Sequence, residues 1–515
     1  MNSSQRSAEA AINEPGIRLP WFMREPLWMQ ALTLGLVVFV LMYIRFVFLA
    51  GLNHDEVEHA QASFRILSGE LPYRDFYQNH WPAHWLLTAQ WVDLFPFSLK
   101  AILMGRATGL LALIGCWWLG LRLLKQIPGG ASRSAIIVYS FALITYAFSC
   151  EFYMTRPDNL MTLFATAGLC LVPASGAIRS MRALSLGLLF GLAFSMSSKI
   201  APMTLVVPML VLIQAIRDRS PILLLALFPY GLGALLAILP TLFWLSNNDL
   251  LAAFYFDVID LNLSLSKPWH QSFKILKVAI FLPAWLGILA WFLARWNTPV
   301  KHDNGFLVVS LALVCGLMLA YLARHMAVYN LQVLTVPLSV AFAGLAGYLG
   351  LHLRDPASRM VLIAALLAYP VSHTATQISM FKGNLGTAPE EIQSLFDLAR
   401  PGGRSCIAFS PIHPVWCHSI SQLSNDWDVR FGKAVKSPKQ EARFQRIWKE
   451  GMERTLELQP DIILRDSASH IWEKALEYGL IQQQDIDALD RLSPQYDVIL
   501  IGENEVWLKK THGAR

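Results

Sequence analysis

About eleven stretches of nearly unbroken apolar sequence, many close to 20 residues long, constrain this chain more than anything else in it. They run over 27–51, 101–121, 134–150, 159–175, 183–198, 200–216, 221–246, 276–294, 305–323, 329–351 and 360–377. A helix rises roughly 1.5 Å per residue, so about 20 residues cross the hydrocarbon of a bilayer, where only a helix or a closed barrel satisfies its own backbone. The chain is 55% hydrophobic and 15% charged, against about 25% charged in a soluble domain. It reads as a polytopic α-helical membrane protein. The fifth and sixth runs are short, and a shallow hairpin stays open there as an alternative to two full spans. The first run is too long for a removed signal peptide and lacks a small-residue cleavage site, so it is expected to be an anchor.

The loops between the runs sort by charge. Arg122, Lys125 and Arg133 share one side with Arg179 and Arg182, Arg217 and Arg219, Arg295 and Lys301, and Arg354 and Arg359. The N-terminal tail, residues 1–26 with Arg6, Arg18 and Arg24, belongs to the same side. The positive-inside rule makes that side cytoplasmic. A multi-pass protein of the inner (plasma) membrane is expected, with its transmembrane part over 27–377 and an outward loop over 52–100. An odd span count puts 378–515 outside as well.

From about residue 378 charged residues become frequent and short strand-like runs appear at 405–409, 461–464 and 496–501. The last, with Val506-Trp507-Leu508 after it, reads as a terminal hairpin, and helical patterns lie at 441–456 and 471–478. A soluble C-terminal α/β domain is expected. Cys406 and Cys417 fall in it, and an oxidising compartment favours a bridge between them. Pairing also needs their Cα atoms within about 7 Å, which leaves two separate thiols as the alternative.

The informative polar residues collect on the outward side. Directly after the first run come Asn53-His54-Asp55-Glu56-Val57-Glu58-His59. Acids at membrane depth are costly and mark function by default. Arg156, Asp158, Lys199, Asp257, Arg324 and His325 join them from other outward loops. Each has a bland reading. Asp55 and Glu56 can be solvated or cap the segment Val57 to Leu67, and Asp158 can be a helix N-cap after Arg156-Pro157. Lys199 can snorkel, Arg324 and His325 can flank a span, and His80, between Asn79 and Trp81, can belong to an interfacial aromatic belt. Asp257, after Phe254-Tyr255-Phe256, is the weakest alone. As a set, acids and cations at one membrane face suit transfer from a lipid-anchored phosphate ester to a hydroxyl. A carboxylate takes the acceptor proton, and cations stabilise the departing phosphate. No Ser-His-Asp order, phosphate-cradling glycine loop or metal-ligand spacing is present.

The ordered motifs resemble the GT-C glycosyltransferases of the protein-mannosyltransferase and aminoarabinose-transferase type. Asp55-Glu56 is similar to the Asp-Glu pair of their first outer loop, and Gly69-Glu70-Leu71-Pro72-Tyr73-Arg74-Asp75-Phe76 to a Gly-x-x-Pro-Tyr-x-Asp stretch. His80-Trp81-Pro82 resembles a Pro-containing turn, and Arg156-Pro157-Asp158 their Arg-x-Asp. Gly187 to Lys199 resembles Gly-x-x-x-Gly-Leu-Ala-x-x-x-Lys with two extra residues before the Lys, and Arg324-His325 with Tyr329 to Pro337 a looser Arg-x-x-Tyr pattern. The likeness covers about 27–350. It implies a GT-C fold and inverting hexosyl or pentosyl transfer on the outer membrane face. The implied donor is a polyprenyl-phosphate-linked sugar, and the acceptor an envelope glycan, lipid or protein.

That resemblance implies Asp55 as base with Glu56 supporting acceptor binding, and Lys199 and Arg324, helped by Arg156 or His325, on the donor phosphate. Glu58, His80, Asp158, Asp257 and Tyr329 are expected to bind substrate or hold the site. No catalytic divalent metal, other cofactor or nucleic-acid partner is expected. A flippase for lipid-linked sugars would want charged or broken helices at the midplane and related halves, neither of which shows here. A ligase using a pyrophosphate-linked donor or a noncatalytic envelope scaffold stays open.

Overall fold

In the computed structural model the described apolar runs become helices, four stretches of which reach bilayer-spanning length. The structure describes residues 27–260, apart from 96–97, 128–129 and 174–177, together with 332–352, 389–398 and, towards the C-terminus, 405–408, 417–419, 438–466, 476, 482–501 and 504–510. The helices are α1 (Leu27–Leu49), α2 (His54–Leu67), α3 (Ala83–Leu94), α4 (Lys100–Lys125), α5 (Arg133–Ser149), α6 (Pro157–Leu171) and α7 (Ser180–Met196). They continue as α8 (Val206–Arg217), α9 (Leu227–Asn247), α10 (Thr335–His352), α11 (Pro389–Leu398), α12 (Pro438–Leu458) and α13 (Gln483–Asp490). Four described helical stretches are long and apolar enough to cross a membrane: Met29–Leu49, Lys100–Lys125, Ser198–Ile216 and Pro221–Asn247. The expected spans at 276–294, 305–323 and 360–377 lie outside the described residues. The fifth and sixth runs are divided at Ser197, where α7 ends and a short helical turn leads to the stretch containing α8.

The helical core is aromatic where α1, α5 and the following turn meet. Tyr43 and Phe46 of α1 stack edge-on against Phe148 at 5.1 and 5.4 Å, and Tyr153 closes the same cluster. Between α7 and α9 the packing is closer, and glycine makes it possible. A Cβ on Gly187 would run into the Tyr230 carbonyl oxygen, and one on Gly233 into that of Leu184. Without a hydrophobic force between helices in lipid, backbone approach through small residues supplies the contact. Gly187 and Gly191, part of the family-like glycine motif, are thus helix-packing residues.

Near the C-terminus five strands form one sheet: β1 (Cys406–Ala408), β2 (His418–Ser419), β3 (Ile462–Asp466), β4 (Tyr496–Ile501) and β5 (Asn504–Lys509). Their order is β2-β1-β3-β5-β4, parallel from β2 to β3 and antiparallel beyond it, and the expected terminal hairpin is β4–β5. The helix expected over 441–456 is α12; the one over 471–478 lies almost wholly outside the described residues, and β2 and α13 were not anticipated. Cys406 and Cys417 are joined as a disulfide with Cα atoms 4.7 Å apart. Gln61 of α2 donates to the Cys417 carbonyl at 2.6 Å, so the sheet and the carboxylate-bearing helix lie at the same end of the helical body.

Gly187→Val should lower the stability of the solubilised protein by about 1–3 kcal/mol or more, as overpacking does. Gly231→Ala, where an added Cβ meets nothing within 4 Å, should be neutral. Melting curves of the two variants beside the parent check this.

Candidate functional site

Asn53 starts the site. Its side chain accepts from the Asp55 amide at 2.9 Å, and Glu56 reaches back to the Asn53 amide at 3.2 Å, forming a capping box for α2. The cap is therefore Asn53, not Asp55 or Glu56. The helical step of about 100° then separates the two adjacent acids in direction. Glu56 points inward and is fully buried, and Asp55 stays 20% exposed.

Both Glu56 oxygens are taken. Arg106 of α4 meets them in a fork, Nε to Oε1 at 2.8 Å and Nη2 to Oε2 at 2.6 Å, and the Thr155 amide adds a bond to Oε1 at 2.9 Å. The same guanidinium donates to the carbonyls of Ala50 (2.8 Å) and Gly51 (2.7 Å), and at 3.3 Å to Val47. The pair therefore ties the end of α1, the start of α2, α4 and the segment entering α6. An acid so enclosed cannot face a substrate, and the geometry gives Glu56 a holding role. Arg106 was missed in the sequence, although one Arg inside the apolar run 101–121 is the kind of buried charge that demands a partner.

Above this pair runs a row of alternating charges. Arg156, itself buried, reaches Asp55 Oδ2 at 2.7 Å and Glu151 Oε2 at 2.9 Å, and its Nε lies 3.8 Å from Asp158 Oδ2. Lys199 Nζ meets the same Asp158 oxygen at 2.9 Å and is 21% exposed. Arg156 is the residue before α6, with Pro157 first in the helix and Asp158 in its first turn; no side chain caps the end, so the N-cap reading of Asp158 does not apply. Lys199 does not snorkel; the break at Ser197 turns it back to Asp158. Glu151 was also missed. It follows α5 in a left-handed conformation, φ 58°, that aims its carboxylate at Arg156.

The outward loop closes the other wall. Gly69, at φ 87°, turns the chain after α2, and Arg65 holds Glu70 and the Asp75 carbonyl while stacking on Phe76. Asp75 accepts from the Leu71 amide at 2.8 Å, which makes the Gly-x-x-Pro-Tyr-x-Asp stretch a self-bonded loop. Tyr73, φ 68°, donates to the His80 carbonyl at 2.6 Å. Burial first, and then the negative charge of Asp257, push the Tyr73 hydroxyl well above its ordinary value. Asp257 is fully buried in the helical turn Tyr255–Asp260, near this wall. Glu58 is buried on α2.

Three imidazoles face the row. His59 lies 5.2 Å from His80 and 5.1 Å from His84, centroid to centroid, and accepts from the Trp85 indole at 3.0 Å. Burial, with Lys199 adding to it, pushes His80 down to about 4; burial pushes His84 down to about 3 and His59 well below its usual range. All three are thus neutral at pH 7. Neither ring nitrogen of His84 has a hydrogen-bond partner among the described residues, and the ring lines a small cavity with Thr88, Gly109, Arg156 and Asn159. Among the described residues no group of three or more His, Cys, Asp or Glu side chains is placed to hold a metal ion. The structure thus brings together Asp55, His80, Arg156, Asp158 and Lys199. Arg324, His325 and Tyr329 lie outside the described residues.

No family model matches the chain, and no curated protein matches it in sequence. Solved structures do. ArnT from Cupriavidus metallidurans, bound to undecaprenyl phosphate, superposes with a TM-score of 0.56 at 13% identity, over 93% of this chain and 99% of that one. The apo state of the same protein gives 0.51 at 14% identity, over 93% and 98%. The likeness covers most of the chain, and the chain has the GT-C fold.

Breaking the buried pair by Glu56→Gln or Arg106→Met should cost about 3–5 kcal/mol. The double variant should cost less than the two singles added, because neither side is then left charged and alone. The imidazoles carry a separate prediction. An unfolded His takes up a proton near pH 6.5 and these buried ones do not until about pH 4 or below. Their contribution is present in full above about pH 6.5 and lost as the pH falls, by up to about 1.4 kcal/mol per unit for each. Melting at pH 7.5 and pH 5 should show that loss, and His84→Gln should reduce it.

Proposed function

We propose that this protein is an inverting glycosyltransferase that moves a sugar from a polyprenyl-phosphate donor to an envelope glycan, lipid or protein hydroxyl at the outer membrane face. The observation that carries the reading is the row Asp55–Arg156–Asp158–Lys199, buried at its centre and open at both ends. A base and a cation are thus held apart at a fixed spacing by groups that cannot themselves reach solvent. The GT-C fold, shared with a protein crystallised with undecaprenyl phosphate, supports the lipid-phosphate part.

In this reading Asp55 accepts the proton of the acceptor hydroxyl as the oxygen attacks the anomeric carbon. The bond from that carbon to the phosphate oxygen breaks on the opposite face, which inverts the centre. Lys199 offers its ammonium to the phosphate as negative charge grows on it, a stabilisation worth most where water is excluded. Arg156 orients Asp55, and Glu151 and Asp158 orient Arg156. Arg324 and His325 remain proposed helpers on the phosphate, and Tyr329 a proposed contact. Of the neutral imidazoles, His80 and His84, each with one donor and one acceptor, suit sugar hydroxyls, whereas the His59 acceptor is taken by the Trp85 indole. The N-terminal tail is placed in the cytoplasm and the sheet-bearing C-terminal domain, 378–515, outside, beside the carboxylate loop.

Asp55→Asn keeps the shape and the bond to Arg156 but removes the base. Transfer from an undecaprenyl-phosphate sugar should fall by about 10²–10⁴-fold with melting temperature unchanged; a normal rate in the folded variant would overturn the assignment. Lys199→Met should weaken competition by undecaprenyl phosphate and leave the acceptor KM near its parent value.

A further inference from the structure

The contact between the C-terminal sheet and α2 is made at an unusual place. Gln61 is buried, lies six residues along α2 from Asp55, and gives its amide to a main-chain carbonyl 356 positions away. That carbonyl belongs to Cys417, one half of the disulfide, and is followed at once by β2. β2 is the edge strand, and among the described residues it pairs with β1 through Ile407–His418 and Ala408–Ser419. A described ladder of two pairs restrains the edge less than a covalent bond does. The covalent bond to Cys406, at the start of β1 in the buried core with Ile462, Leu464 and Val506, is much the stronger restraint on Cys417.

We propose that the Cys406–Cys417 disulfide is a positioning brace for the carboxylate helix, acting through the hydrogen bond from Gln61 to the Cys417 carbonyl. The Glu56–Arg106 pair anchors the first turn of α2. Gln61 adds an anchor further along α2, beside the bonds that His59 and Ser63 make to Trp85 and Thr88, and together these hold Asp55 in line with Arg156. Neither cysteine touches the row of charges, and Gln61 acts through α2; all three are positioning residues. The brace is also conditional on redox state. A dithiol such as dithiothreitol gives two electrons and two protons to the bond, leaving two thiols here and a cyclic disulfide in the reagent. Cys417 then keeps its packing in the buried cluster and the described ladder of β2, but loses its covalent tie to β1.

The test uses the full-length protein in nanodiscs and follows amide hydrogen exchange in the peptide covering α2. Reduction should speed exchange there about fivefold, the worth of roughly one hydrogen bond, and leave α4 and α6 unchanged. Gln61→Leu should give the same acceleration in oxidised protein, and reducing that variant should add little, because both changes remove one interaction. Equal protection of α2 before and after reduction overturns the brace, as does full additivity of the two changes. Cys406→Ser with Cys417→Ser should copy the reduced state; should that variant fail to fold, reduction of the folded parent decides. A second readout rests on the transferase reading: reduction should lower kcat for sugar transfer and leave undecaprenyl phosphate binding intact. Looser α2 on reduction, with no transfer by the oxidised protein, would sink that functional reading and leave the brace standing.

Discussion

Everything at the site end of this molecule rests on one buried ion pair. Glu56 and Arg106 are both out of water, and the desolvation of two charges is repaid only when every donor and acceptor finds a partner. Here each does. The carboxylate has a forked guanidinium and two backbone amides, and the guanidinium has, beyond the carboxylate, three carbonyls at the end of α1. Val47 lies in the last turn of α1, where a helix leaves its carbonyls unsatisfied, and Ala50 and Gly51 follow directly after it. One arginine therefore finishes α1, begins α2 and fixes where α4 and α6 enter, and the direction of Asp55 follows.

Two adjacent acids in one motif thus divide their labour by helix geometry. Neighbours on a helix point about 100° apart, so when one faces the core the next faces the rim. Glu56 faces Arg106 and Asp55 faces Arg156. The arginines differ as well: Arg106 divides its donors between the Glu56 carboxylate and backbone carbonyls, and Arg156 meets three carboxylates. One acid of the motif is closed into the fold and the other is left at the rim.

Much of this was legible in the sequence, and the reasons are uneven. The apolar runs gave the helices, since length and burial in lipid leave few alternatives. The clustering of Asp55, Arg156, Asp158 and Lys199 followed from sorting loops by charge, which brings distant residues to one face without any knowledge of contacts. The partners within the cluster did not follow. Arg106 sits amid leucines and alanines and looks like part of a span, and Glu151 is marked only by its place after a helix, where a left-handed residue turns it. The glycines of the family-like motif were read with Lys199, whereas the structure spends them on the α7–α9 crossing. The disulfide needed a distance, and the link from Gln61 to Cys417 spans most of the chain, beyond the reach of any local pattern.

The row of charges shows where its weight rests. Arg156 lies against three acids, Asp55, Glu151 and Asp158, whereas Lys199 is seen on Asp158. A single buried guanidinium is thus the hub through which most of the attraction in the row passes, and the two cations are not interchangeable.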